Sequence, residues 1–315
     1  MADASKSSIV LPFDSAAIAE AAALIAAGEP VAVPTETVYG LAADARNAEA
    51  VARIYAAKGR PDFNPLIVHV PDLAGAERLG VFGDVERLLA ARFWPGPLTL
   101  VVPRTADCPV ASIATAGLDT IAIRVPGHRA MQALLAESGA PLAAPSANAS
   151  GGVSPTKASH VLASLDGRIA LVIDDGPTTA GVESTIARVK DGAVEILRPG
   201  PVTVEMLAEA SGLAVTGVKG PEIVAPGMLA SHYAPGKPVR LGATAFADDE
   251  YGIGFGAVAG EYDLSAAGDL TEAAARLFDA LHAGAASAKA KIAVAAVPAE
   301  GLGAAINDRL ARAAV

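Results

Sequence analysis

Apolar positions recur at two periods along the chain, and the alternation between them predicts interleaved helices and strands. Asp14 and Ser15 can cap an alanine-rich helical stretch that runs to about Ala27 and stops at Gly28 and Pro30. Val31-Ala32-Val33 then reads as a short buried strand leading into Pro34-Thr35-Glu36-Thr37. Residues 48–58 place Val51, Ile54 and Tyr55 on one helical face, and Leu66-Ile67-Val68-His69-Val70 has the look of a strand. Helices are predicted over 84–93 and 128–138, and strands over 98–102, 120–125 and 142–144. A polar loop follows through Ser154, then extended segments near 170–174, 183–189 and 193–198, and a helix from Thr203 to Ser211. This mixture of helix-linked and consecutive strands predicts an α/β unit with a mixed sheet over residues 1–212.

After Gly212 the pattern breaks. Residues 213–238 contain Gly217, Gly220, Pro221, Pro226, Gly227, Pro235, Gly236 and Pro238. That punctuation predicts an irregular linker, and its length suggests a functional loop rather than a passive one. Residues 239–315 then read as a small second α/β unit, with strands at 253–258 and 292–297 and helices at 270–283 and 302–313. Gly252-Ile253-Gly254-Phe255-Gly256 within it resembles a nucleotide fingerprint only superficially, so plain strand packing is expected there.

Composition narrows the class. The 315 residues suggest two domains, and 52% hydrophobic against 18% charged residues is far too apolar for a disordered chain. Twenty-four Lys and Arg against 34 Asp and Glu leave a net charge of −10. Firm nucleic-acid binding is therefore not expected, because phosphate neutralisation dominates such affinity. A single cysteine, Cys108, cannot form an internal disulfide. With no apolar run long enough for a membrane span and no evident secretory leader, a soluble cytoplasmic protein is expected.

Three segments could carry chemistry. Pro34–Leu41 packs two threonines, a carboxylate and a phenol beside an apolar strand, a group that either lines a pocket or satisfies turn backbone. Lys58-Gly59-Arg60 sits at a helix C-terminus, where the cations either complement the dipole or grip phosphate, with Asn64 as a nearby amide. Ala144–Ser154 is a loop of small hydroxyls, amides and glycines, either an anion nest or a flexible turn. His69 reads as a core histidine, whereas Arg124 within a strand needs a partner, and a ligand carboxylate would serve. Glu183–Ile186, Arg198-Pro199-Gly200 and His232–Pro235 are weaker polar points. There is no P-loop, zinc-spaced cluster or Gly-x-Ser-x-Gly elbow, so scattered side chains would have to hold any nucleotide.

Taken together, PTETVYGL at 34–41, KGRPDFNPLIVHV at 58–70, PSAN at 145–148, ESTI at 183–186, LRPG at 197–200 and HYAPGKP at 232–238 resemble the threonylcarbamoyl-AMP synthase family. The resemblance is to its long form and covers essentially the whole chain. It implies a YrdC-like twisted mixed sheet with flanking helices (1–212), a linker or lid (213–238) and a small Rossmann-like α/β domain (239–315). The implied reaction makes L-threonylcarbamoyl-adenylate and pyrophosphate from L-threonine, bicarbonate and ATP. A downstream transferase system would use that product to form N6-threonylcarbamoyladenosine in tRNA.

Carried over by position, Thr37, His69, Arg124 and Ser184 would hold threonine, with main chain from Ala144. Lys58, Arg60, Asn64, Thr120, Ser146, Asn148, Ser154 and Arg198 would hold ATP, and Tyr233 would reach back to the nucleotide. Lys58 and Arg60 would act electrostatically, with no side chain assigned as acid or base. Mg²⁺ is expected on the ATP phosphates with no protein ligand. Two rivals remain open: a YrdC-like domain acting on carbamoyl phosphate, and a non-catalytic RNA-binding module.

Overall fold

The computed structural model describes residues 7–61, 64–217 and 233–315. Asp62 and Phe63 of the second motif, and most of the expected linker including His232, lie outside the described residues.

The first unit opens with β1 (Ile9–Pro12), α1 (Ser15–Ala26), β2 (Val31–Pro34), β3 (Tyr39–Asp44), α2 (Ala48–Lys58) and β4 (Ile67–His69). It continues through α3 (Leu73–Glu77), α4 (Asp84–Phe93), β5 (Leu98–Pro103), β6 (Thr120–Arg124), α5 (Arg129–Ser138) and β7 (Leu142–Ala143). The remaining elements are α6 (Ala158–Leu165), β8 (Leu171–Asp174), β9 (Thr185–Lys190), β10 (Ala193–Arg198), α7 (Val204–Ser211) and β11 (Val215–Gly217). Among the described residues the eleven strands form one mixed sheet, ordered β1-β8-β2-β3-β7-β4-β6-β5-β9-β10-β11.

Strand alternation distributes the apolar side chains to two faces. Val31 and Val33 of β2 join a core with α1 and α5. Ala32, Val68, Ile121 and Ile123 point the other way, into the core built with α2, α4, α6 and α7. On the face of β4, β5, β6, β9 and β10 opposite that core lies only a small apolar group, Ile67, Val101, Ala122, Ile186 and Leu197. By the same two-residue period His69 and Arg124 share the face of Ile67 and Ala122, whose apolar cluster among the described residues is made of strand residues.

The second unit contains β12 (Val239–Ala243), β13 (Glu250–Gly254), β14 (Tyr262–Asp263), α8 (Leu270–Ala286), β15 (Lys291–Ala295) and α9 (Gly303–Ala313). Its sheet is parallel throughout, ordered β12-β15-β13-β14. Val38, Val153, Val182 and Tyr233 pack into the same apolar cluster as α8 and α9, so one core spans both units.

Several details depart from the sequence reading. β1, β3, α3, α6, β12 and β14 were not expected. β3 is buried along nearly its whole length but, as Tyr-Gly-Leu-Ala-Ala-Asp, lacks the β-branched residues that mark strands. The strand expected at 253–258 ends at Gly254, because Phe255 and Val258 exchange backbone bonds and turn the chain. Gly252 packs under the Phe246 ring, in keeping with strand packing. β11 pairs with β10, so the larger sheet extends into the segment read as linker. No helix among the described residues is long and apolar enough to cross a membrane.

Candidate functional site

At this face a narrow cleft opens, lined by residues from β4, β6, the β2–β3 turn, the loop after β7, the approach to β9, and Tyr233. Thr37, Arg60, His69, Arg124, Ala144, Ser146, Ser184, Arg198 and Tyr233, nine of the expected site residues, are in its lining.

Arg124 ends β6 directly in register with His69 at the end of β4. The Arg124 guanidinium donates from Nη1 to Thr37 Oγ1 at 2.9 Å and from Nε to the Gly96 carbonyl at 3.2 Å. Its Nη2 lies 2.6 Å from Glu36 Oε1 as a close ion pair. The sequence reading left Arg124 waiting for a ligand carboxylate; the protein itself supplies one. Thr37 is fixed in turn by the Thr35 hydroxyl at 2.8 Å. The phenol of the same motif points elsewhere: Tyr39 donates to the Gly176 carbonyl at 2.7 Å. Both readings of Pro34–Leu41 therefore hold, the threonines lining the pocket and the tyrosine satisfying a turn.

Arg60 lines the cleft, and Lys58 is buried close to it. Gly59 caps α2 in the left-handed region at φ +60, turning the chain so that both side chains lie inward. Lys58 is buried, and its Nζ donates to the carbonyl of Ser146 at 2.6 Å and to that of Asn148. Arg60 donates to the carbonyls of Asn64 and Pro65. The 146–152 loop is tied down by its own amides. Ala147 donates to Tyr39, Ser150 to Lys58, Gly152 to Ala149, and Ala149 to the Ser164 hydroxyl. Those four N–H groups are committed within the protein and would not serve an anion, which narrows the nest reading to the loop's other amides.

Ser184 joins the two ends. Its hydroxyl meets Thr99 Oγ1 at 2.8 Å and accepts from Arg198 Nη2 at 3.1 Å, while Arg198 also donates to the Ser184 carbonyl. Lys58, Asn64, Asn148, Ser154 and Thr120 are not in the lining. The first two adjoin Arg60, and Asn148 binds loop carbonyls through Nδ2. Ser154 donates to Glu183 Oε1. Thr120 shares the Arg124 face of β6 but stands four residues upstream, at the strand's start.

Burial governs the charge states. Desolvation, with Arg124 beside it, pushes His69 down to about 3, so the imidazole is neutral at ordinary pH. Desolvation lowers Lys58 well below the usual lysine range, with Arg60 adding to it. It also brings Arg198 down to about 10 and raises Tyr233 to about 12. Burial alone would raise Glu183, but Arg309 and Arg198 outweigh it and hold the carboxyl at about 2. Asn64 Oδ1, His69 Nδ1 and Asn148 Oδ1 are buried without a hydrogen-bond partner among the described residues. Such orphans around one cleft fit a site whose polar partner arrives with a ligand. Among the described residues no group of three or more His, Cys, Asp or Glu is arranged to hold a metal.

Comparison with known proteins decides the family. The family profile described as "Telomere recombination" matches residues 23–200, and "Threonylcarbamoyl-AMP synthase, C-terminal domain" matches 202–315. This chain belongs to the threonylcarbamoyl-AMP synthase family, in its two-domain form. The threonylcarbamoyl-AMP synthase of Bacillus subtilis (strain 168) is 50% identical over 230 residues, 71% of this chain and 66% of that protein. That of Pyrococcus abyssi is 45% identical over 228 residues, again 66% of the relative's length. The aligned region thus spans just under two thirds of these relatives. A crystal structure of P. abyssi Sua5 complexed with L-threonine superimposes with a TM-score of 0.88 at 35% identity, covering 98% of each chain.

Within this threonylcarbamoyl-AMP synthase family fold, sequence reasoning missed two polar members of the site. Glu36 was visible in its motif, but nothing in the order of residues brings it to Arg124. Glu183 opens the ESTI motif, and its partner Arg309 stands 126 positions away.

Proposed function

We propose that this chain condenses L-threonine, bicarbonate and ATP into L-threonylcarbamoyl-adenylate, releasing pyrophosphate and water, in the cytoplasm. The product would serve a separate transferase as donor for N6-threonylcarbamoyladenosine in tRNA. What carries the reading is the meeting, in one cleft, of an arginine–threonine–histidine cluster and a basic, hydroxyl-bearing wall.

In this reading Thr37, His69, Arg124, Ser184 and the main chain at Ala144 seat threonine. The Arg124 N–H groups not used by Gly96, Thr37 and Glu36 take the amino-acid carboxylate, with Glu36 keeping the fork oriented. A neutral His69 leaves an imidazole nitrogen to hydrogen-bond without adding charge. Lys58, Arg60, Asn64, Ser146, Asn148, Ser154 and Arg198 serve the triphosphate wall, Thr120 lies at its margin, and Tyr233 covers the nucleotide. Mg²⁺ belongs to the ATP as it binds, since the lining's own carboxylate, Glu183, is engaged by Arg309 and Ser154. We place the end of the first unit at 217, where β11 closes the sheet, rather than at 212.

The threonine amine attacks bicarbonate carbon and water leaves, giving a carbamate. A carbamate oxygen then attacks the α-phosphorus and pyrophosphate departs. Both steps bring like charges together, so positioning and neutralisation by Arg60, Arg198 and Lys58 do most of the work. Pyrophosphate release that requires threonine, bicarbonate and ATP together supports the assignment. Release independent of threonine, or tight RNA binding with no release, overturns it in favour of one or other rival.

A further inference from the structure

The larger, first unit supplies almost all of the cleft, yet the most deeply buried charge beside it comes from the second. Arg309, on α9, is fully excluded from solvent. Its Nε donates to Glu183 Oε2 at 2.8 Å, and its Nη1 to Asp308 Oδ2 at 2.8 Å. The guanidinium carbon lies 5.5 Å from the centre of the Tyr233 ring, whose neighbour, 5.4 Å away, is Phe278 of α8. Tyr233, in the left-handed region at φ +66, is thus packed by two side chains of the second unit. Glu183, held by Arg309 on one oxygen, accepts from Ser154 on the other.

Adhesion between the units does not require this ion pair. Val38, Val153 and Val182 already pack against α8 and α9 in a shared apolar core. A buried ion pair is costly to desolvate, and well-packed apolar residues often replace one without loss of stability. What it adds is direction. Glu183 also feels the charge of Arg198, a cation of the lining. With Arg309 removed, the carboxylate would be drawn towards Arg198 and neutralise a positive group that faces the cleft.

We propose that Arg309 is a positioning residue for the nucleotide side of the cleft, holding Glu183 away from Arg198 and Tyr233 in place. This rests on the synthase reading above and assigns the second unit a part in it. It also gives a direction: ATP should suffer before threonine, because Arg198 and Tyr233 are on the nucleotide side, while the threonine side is reached at one further remove, through the bonds of Arg198 to Ser184.

Calorimetric titration of the full chain with a non-hydrolysable ATP analogue and, separately, with L-threonine tests this, alongside pyrophosphate-release kinetics. For Arg309→Met the analogue should bind at least tenfold more weakly and the KM for ATP rise to match, while threonine affinity stays within threefold. Arg309→Lys keeps the charge but not the fork and should recover part of the loss; it carries the test alone if the methionine variant does not fold. Unchanged ATP affinity in a folded variant, or equal loss of both ligands in Arg309→Lys, overturns the proposal. A wild-type chain that binds neither ligand would instead sink the synthase reading.

Discussion

A guanidinium buried in a sheet must have its charge met, and Arg124 meets it three times over, with Glu36, Thr37 and the Gly96 carbonyl. The requirement was legible in the sequence, since an arginine inside Ile121-Ala122-Ile123-Arg124-Val125 has no cheap place to go. The identity of the answering carboxylate was not, because Glu36 and Arg124 are neighbours only once β2, β3 and β6 have assembled. The fork geometry should be what threonine reads. Arg124→Lys keeps the charge and loses the planar pair of donors. Threonine binding should weaken by about 10- to 100-fold, or about 1.4–2.7 kcal/mol, as measured by calorimetry. A fall of less than threefold would show that charge alone suffices. Lys58 gives the opposite lesson. It was read as either a dipole partner or a phosphate ligand, and its head clasps the Ser146 and Asn148 carbonyls, so it also shapes the loop that any nucleotide would touch.

Elements with a cap and a clean helical stripe were readable at this level. Asp14 caps α1 by accepting from Ala17, and the helix ends beside Gly28 as expected. α6, by contrast, follows a run of Ser, Gly and Thr that looks like continuing loop and starts without a side-chain cap, although Ala158, Val161 and Leu165 bury one face of it. Missing α6 hid the seam it forms with α8. There the His160 and His282 rings stack at 3.9 Å, His160 Nε2 lies 3.2 Å from Asp279, and His282 Nε2 donates to the Ser154 carbonyl at 3.1 Å. Lys157 and Tyr262 also converge on Asp279. His160 Nδ1 accepts from the Thr156 amide, so protonating it would break a bond and set charge against a stacked neighbour.

Desolvation, and then His282, bring His160 down to about 4; desolvation also lowers His282. Folded-state values below the ordinary histidine value mean that the unfolded chain takes up more protons in between. Stability should therefore be fully present above about pH 6.5 and decline as pH falls towards about 4. The decline should amount to about 1–2 kcal/mol once solvent screening of the seam is allowed for. Urea melts at pH 7 and pH 5 measure it, and His160→Phe should reduce the difference by the share of His160, leaving that of His69 and His282; an undiminished difference would place its origin elsewhere. Glu183, held near 2, adds its own loss only below about pH 4.5.

At the scale of the whole molecule, the two-unit plan and the break near residue 213 were visible in glycine and proline spacing, while the grip between the units was not. That grip depends on contacts between positions far apart along the chain, which no local pattern encodes. Gly181 makes one of them at close quarters. It adopts φ +71, and a Cβ there would lie 2.2 Å from the Ala274 carbonyl oxygen and 2.3 Å from the Ala275 Cα, both backbone atoms of α8. Gly212 has nearly the same conformation, φ +67, with nothing within 4 Å. Alanine at Gly212 should cost about 1 kcal/mol, the left-handed penalty alone. Alanine at Gly181 should cost at least about 2 kcal/mol more, since helix backbone must give way. Denaturant titrations of the two variants make the comparison, and equal losses would mean that α8 yields freely.

The missing methyl group at Gly181 also bears on how such proteins can be recombined. A helix spine seated directly on a bare stretch of main chain leaves no layer of side chains to absorb a mismatch. Swapping in the C-terminal half of a distant relative would therefore demand a matching contour at this spot, not just a compatible hydrophobic surface. The halves behave less like modules on a string than like a key cut for one lock.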